Sequence, residues 1–172
     1  MYKINKSGRS VLILKLFHGS NMKVVNPQIR SNLRALDFGA GFYLTSSYTQ
    51  ANKWAKTVTR RRGKGKATLN IYSIDYNEIS TLKVLRFDTA NGDWLEFVVS
   101  NRKELLKINP YDIVIGPVAN DSTLPVIDDY MDSVYTKEEA VRRLLPQNLT
   151  DQYAFLTVNS LELLTFEGSE LL

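Results

Sequence analysis

The chain has 172 residues, 44% apolar and 23% charged, enough for one domain whose core closes without a disulfide or a structural metal. It has no cysteine and one histidine, which excludes thiolate zinc sites, disulfide frameworks, cysteine nucleophiles and two-histidine metal sites, so no metal is expected. The formal charge of +4 gathers in Arg60-Arg61-Arg62-Gly63-Lys64-Gly65-Lys66, and no apolar run reaches the length of a membrane span.

In chain order, Lys3, Lys6 and Arg9 precede Val11-Leu12-Ile13-Leu14 in the manner of an export leader. Lys15 interrupts that run and no small-residue cleavage site follows, so Val11–Phe17 reads as a buried strand and a cytoplasmic protein is expected. His18-Gly19-Ser20 ends the strand. Asp37-Phe38-Gly39-Ala40-Gly41 reads as a turn and Phe42-Tyr43-Leu44-Thr45 as a short buried strand. Ser47 and Gln50 make a capping box for a helix that carries Ala51, Trp54, Ala55 and Val58 on one face. The basic run is expected to end that helix as a solvated, mobile loop, with phosphate contact the competing reading. Strands are expected over Thr68–Ile74 and Leu82–Phe87, and a helix over Asp93–Asn101 capped by Asn91 or Asp93. A further strand spans Asp112–Val118. Thr136 and Glu139 cap a helix carrying Ala140, Val141, Leu144 and Leu145, and two strands close the chain at Tyr153–Thr157 and Leu161–Phe166. This mixture predicts a single α+β domain over 1–172.

Three groups carry chemistry. His18 stands at a strand end beside a glycine and a hydroxyl, where backbone amides are exposed, although a lone histidine is more often a packed residue. Gly39-Ala40-Gly41-Phe42-Tyr43 is not a dinucleotide-binding loop of the Rossmann kind, because a strand rather than a helix follows and the third glycine is missing. Tyr43 and Trp54, eleven residues apart, otherwise read as core residues.

Taken in order, Phe17-His18-Gly19-Ser20, Asp37-Phe38-Gly39-Ala40-Gly41-Phe42-Tyr43-Leu44-Thr45 and the helix through Trp54 resemble the diphtheria-toxin-like and poly(ADP-ribose)-polymerase-like branch of ADP-ribosyltransferases. More closely, the chain resembles small bacterial proteins placed in that superfamily, which share the Leu36–Thr45 phrase and the Ile115–Ala119 phrase. The likeness runs from Leu16 to Phe166. It implies the ADP-ribosyltransferase fold, two packed, mainly antiparallel sheets with a few flanking helices, and NAD as the substrate. His18 would then orient a ribose, Gly19 would grip the nicotinamide carboxamide through its backbone, and Ser20 would contact the adenosine ribose. Tyr43 and Trp54 would stack on nicotinamide, with Phe42 and Thr45 beside them. The family's glutamate position falls on Gln152 of Asp151-Gln152-Tyr153. Glutamine can hold a ribose hydroxyl but supplies neither negative charge nor a base. Mono-ADP-ribosylation or NAD cleavage is therefore expected rather than polymer elongation.

Two carboxylates compete with that assignment. Asp151 should face away from Gln152, and Glu96 reads more simply as a surface helix residue. The likeness implies an acceptor that is protein, RNA or DNA inside the cell, a toxin or defence role, and an antitoxin partner. Its alternatives are a catalytically silent module that binds NAD, ADP-ribose or nucleic acid, and an RNA 2′-phosphotransferase whose pocket would draw on Arg30 and Arg34.

Overall fold

The computed structural model describes residues 2–4, 10–29, 36–105 and 109–172, with residues 2–4 and 10 described by backbone alone. The elements in chain order are β1 (Tyr2–Ile4), β2 (Ser10–Ser20), β3 (Phe42–Leu44), α1 (Tyr48–Arg62), β4 (Thr68–Asp75), α2 (Tyr76–Ile79) and β5 (Val84–Arg86). They continue with α3 (Gly92–Arg102), β6 (Ile113–Pro117), α4 (Leu124–Met131), α5 (Lys137–Leu144), β7 (Asp151–Phe155), α6 (Val158–Glu162) and β8 (Thr165–Leu171). The fold is α+β. One sheet runs β1-β2-β4-β8 and is antiparallel throughout. The other runs β3-β7-β6-β5, antiparallel except for the β5/β6 pair.

Strand alternation divides the core in two. Leu16, Tyr72 and Ile74 of the first sheet meet Phe42, Leu44, Ile113, Ile115, Tyr153 and Phe155 of the second. The intervening residues of the second sheet, Val114 and Ala154, turn the other way onto Trp94, Leu95 and Val98 of α3, Ile127 of α4 and Ala140 and Leu144 of α5. Trp94 is fully buried, and its Nε1–H donates to Pro117 O at 3.0 Å. The Asp37 carboxylate accepts from Arg102 Nε and Nη2 at 2.8 and 2.6 Å, which ties the turn before β3 to the end of α3.

Several boundaries differ from the sequence expectation. β2 runs on through His18-Gly19-Ser20, because these residues pair with Asn70, Leu69 and Thr68 of β4. α1 takes in Arg60, Arg61 and Arg62 before ending at Gly63, so half of the basic run is helical. Those arginines complement the negative end of the helix dipole. Both predicted capping boxes form by half. Ser47 Oγ accepts from Gln50 N–H and Thr136 Oγ1 from Glu139 N–H. The reciprocal bonds are absent, since Glu139 pairs with Arg142 and Arg143, and Ser47 N–H goes to Thr45 Oγ1. Leu161–Phe166 is not one strand. Thr157 and Ser160 form a full capping box that starts α6, and β8 begins only at Thr165. The helices α2 and α4 were not anticipated. Among the described residues no helix is long and apolar enough to cross a membrane.

Candidate functional site where two strands part

β2 and β3 meet at one point. Phe17 N–H donates to Thr45 O at 2.8 Å, and Thr45 N–H donates to Phe17 O at 3.0 Å. A continuing antiparallel ladder would next set Gly19 opposite Tyr43. Instead β2 goes on with β4 and β3 with β7. The His18 imidazole stands in the gap, donating from Nδ1 to Tyr43 O at 2.8 Å. Phe17 turns its N–H and C=O toward Thr45 and away from β4. Gly19, two residues on and in phase, therefore turns its own N–H and C=O into the split, and Tyr43 turns its N–H to meet them.

Strand register also sorts the side chains. Phe17 and Thr45 are direct partners and share a face with Gly19 and Tyr43. Thr45 is level with Gln152, because Leu44 pairs with Tyr153. His18 and Phe42 lie on the opposite face, their ring centroids 4.4 Å apart. α1 covers the Gly19 face of β2. A Cβ on Gly19 would lie 2.1 Å from Ala51 O and 2.7 Å from Ala55 N, so only glycine lets the helix backbone come this close. Tyr48 marks one flank of α1, its hydroxyl donating to Glu170 of β8 at 2.8 Å. At about 100° per residue, Gln50, Trp54 and Arg61 lie on the other flank, toward the split. Trp54 was expected on the buried face with Ala51 and Ala55, but it is 51% exposed. The Arg61 guanidinium lies 5.7 Å from its ring centroid.

The electrostatics of the two central residues follow from these contacts. A carbonyl only accepts, so His18 carries its proton on Nδ1 and a lone pair on Nε2. Burial lowers its pKa to about 4, outweighing the opposite pull of the Tyr43 carbonyl, and Arg62 adds to the lowering. The ring is thus neutral at pH 7 and acts as an acceptor. The Tyr43 hydroxyl donates to Gly39 O at 2.6 Å and accepts from Phe38 N–H at 3.1 Å. Burial raises its pKa well above the ordinary tyrosine value. That phenol is no proton donor to a substrate, and Tyr43 offers its ring and backbone instead.

Gln152 is 7% exposed, and its buried Nε2 has no hydrogen-bond partner. Gln50 Oε1, on the split-facing flank of α1, is likewise buried and unpartnered. An orphaned buried polar group costs roughly 1–3 kcal/mol. Each of these two amide atoms is free to bond to a group that the chain itself does not supply. Asp151 is engaged elsewhere. Its carboxylate accepts from Thr45 Oγ1 at 3.0 Å, Ser46 N–H at 2.9 Å and Ser46 Oγ at 2.6 Å, fastening the exit of β3 to β7.

His18 and Gly19 of β2, Tyr43 of β3 and Gln152 of β7 lie on three neighbouring chain segments, with strands about 4.8 Å apart; the His18 ring is bonded to the Tyr43 carbonyl from one face, while Tyr43 and Gln152 turn their side chains to the other. Ser20 is buried two residues beyond His18. Phe42 packs beneath the His18 ring and edge-on to Tyr72, inside the core. Thr45 serves Asp151 and Ser47. Glu96 is exposed on α3 and paired with Lys137 at 2.6 Å. Arg30 and Arg34 lie outside the described residues. A surface cleft of about 350 Å³, lined by Val99, Lys103, Tyr130 and Tyr135 among others, touches none of the candidate residues.

The second half of the basic run is not a free loop. Asn21 Nδ2 donates to Lys64 O at 3.0 Å, Lys66 N–H donates to Asn21 O at 2.9 Å, and Arg62 Nη1 donates to Asn21 Oδ1 at 2.8 Å. Gly65 (φ 82°) fits because a Cβ there would lie 2.2 Å from Asn21 O. The loop is clasped to the residue that follows β2. Sequence reading missed this clasp and took Gln50 only for a cap. Neither has a local signal, since both depend on where α1 docks.

A family model described as Protein of unknown function (DUF3990) matches residues 14–166, so the chain belongs to that family. Comparison with curated proteins and with solved structures finds no significant match.

Proposed function

We propose that this family member is an NAD-dependent mono-ADP-ribosyltransferase with the ADP-ribosyltransferase fold, working at the split between β2 and β3 on an intracellular macromolecule. The observation that carries the reading is the buried, unpartnered amide of Gln152 on β7, the strand that pairs with β3 at the split. NAD supplies an ADP-ribosyl group on a nicotinamide leaving group, and cleavage of that bond builds positive charge on the ribose. Gly19 N–H and C=O match the acceptor and donor of a carboxamide. The faces of Tyr43 and Trp54 suit a flat cationic ring. His18 Nε2 accepts from a ribose hydroxyl, and its neutral state keeps a like charge away from the developing cation. Gln152 Nε2 donates to a ribose oxygen, which positions the sugar without contributing charge.

The test is incubation with NAD labelled in its adenylate half, with separate pools of cell protein and RNA. Transfer by the wild type that falls roughly 10²–10³-fold in Gln152→Ala supports the reading, this being the usual worth of one well-placed transition-state contact. Neither transfer nor nicotinamide release in any pool overturns it. The absence of a carboxylate at 152 favours one second reading, a silent module that binds NAD or ADP-ribose. That module would bind NAD without cleaving it and would gain cleavage only in Gln152→Glu.

A further inference from the structure

α1 and the clasped loop after it carry seven of the chain's 22 cations: Lys53, Lys56, Arg60, Arg61, Arg62, Lys64 and Lys66. No aspartate or glutamate occurs between Asp37 and Asp75. Among the described residues none of the seven forms an ion pair with a carboxylate. Dipole compensation accounts for the last turn of α1 but for neither Lys53 and Lys56 nor the loop lysines. The cations are also ordered. Lys53, Lys56 and Arg60 recur at i, i+3 and i+7, on the face opposite the buried Ala51 and Ala55. Asn21 holds the 64–66 backbone against the end of β2, so Lys64 and Lys66 project from a fixed base. Beside this stripe, on the flank toward the split, Trp54 presents a half-exposed indole to solvent with the Arg61 guanidinium near its face.

From this arrangement we infer that α1 and the 63–66 loop form a binding surface for single-stranded nucleic acid, with the strand's phosphates on the cation stripe and a base stacked at Trp54. An uncompensated line of cations binds a polyanion by releasing its counterions. The exposed aromatic and guanidinium planes select a polyanion with accessible base faces, which duplexes and acidic polypeptides lack. The surface borders the split, so it would present a nucleotide to the site. That last step rests on the proposed function, whereas binding itself does not.

The experiment is run without NAD, so its failure and the failure of the transferase reading are separate results. The full chain is titrated with labelled single-stranded RNA and DNA of about 20 nucleotides, from about 50 to 200 mM salt. Anisotropy and tryptophan emission are both read. Trp94, the second of two tryptophans, is fully buried, so quenching reports Trp54. Single strands of either kind are expected to bind and quench, while duplex DNA and polyglutamate do not quench. The triple variant Lys56→Gln, Arg60→Gln, Lys64→Gln removes three exposed side chains that form no side-chain hydrogen bond or ion pair, so its thermal midpoint should match the wild type. Its affinity should fall at least about tenfold, and its log K against log salt slope should shrink by about 2, or about 0.7 per cation. Trp54→Ala should weaken binding without changing that slope. Three results overturn the inference: no binding at the lowest salt, wild-type affinity in the triple variant, or equal binding and quenching with polyglutamate.

Discussion

Acidification tests the geometry at His18 without any ligand. The ring is held neutral with a pKa of about 4, whereas in the unfolded chain it titrates near 6.5. Between those values the unfolded chain binds a proton that the folded chain refuses. This contribution to stability is therefore complete above pH 6.5 and is lost as the pH falls toward 4. At about 1.4 kcal/mol for each tenfold change in proton affinity, the loss between pH 7 and pH 4 is about 3 kcal/mol. Urea unfolding of the wild type and of His18→Gln across this range isolates it, because the carboxylates titrate in both proteins and cancel in the difference. The wild type should lose about 3 kcal/mol more than the variant. Since the chain has one histidine, its ring signals in a magnetic resonance titration are unambiguous and should move only near pH 4. Parallel stability profiles, together with a ring that titrates near 6.5, would refute the assignment of His18 as a buried neutral donor to Tyr43.

Three further outcomes follow from the same contacts. Gly19→Ala places a methyl 2.1 Å from Ala51 O, a backbone atom that cannot rotate away, so thermal unfolding should show a loss of about 3 kcal/mol or more, at or above the usual range for overpacking. Gln152→Leu removes an orphaned buried amide, so chemical denaturation should show a gain of about 1 kcal/mol, while calorimetry should show loss of NAD binding. Trp94→Ala, in the helical half of the core, should cost about 3–5 kcal/mol by urea unfolding.

Local pattern made the β2, β3 and α1 cores readable. The β-branched and aliphatic run from Val11, the turn at Gly39 and the Ser47 cap each act over a few residues. In β7 the Asp151 carboxylate is taken up by Thr45 and Ser46, whereas Gln152 is buried with its Nε2 unpartnered. What stayed hidden depends on distant partners. β2 continues past His18 because β4 pairs with it there. Trp54 leaves the buried face because close packing at Gly19 sets which side of α1 meets the strand. Lys64-Gly65-Lys66 is solvated as expected, but its backbone is tied to Asn21, more than forty positions earlier, which no local pattern signals. The strand forecast for Leu161–Phe166 failed because apolar residues there are shared between a short capped helix and a strand, and a short apolar run does not distinguish the two. Gln152 was singled out by its place in a motif. Its missing partner is visible only in three dimensions.

The proposed function requires the backbone groups of Gly19 and Tyr43 at the split between β2 and β3 to take up the nicotinamide end of NAD. The most direct measurement is a backbone amide shift map of the folded protein titrated with NAD and with nicotinamide alone. The prediction is that the Gly19 and Tyr43 amides and the Gln152 side-chain amide move together and saturably, with Trp54 shifted as well. Saturation by NAD with all shifts confined elsewhere, or no shifts with either ligand, would contradict it.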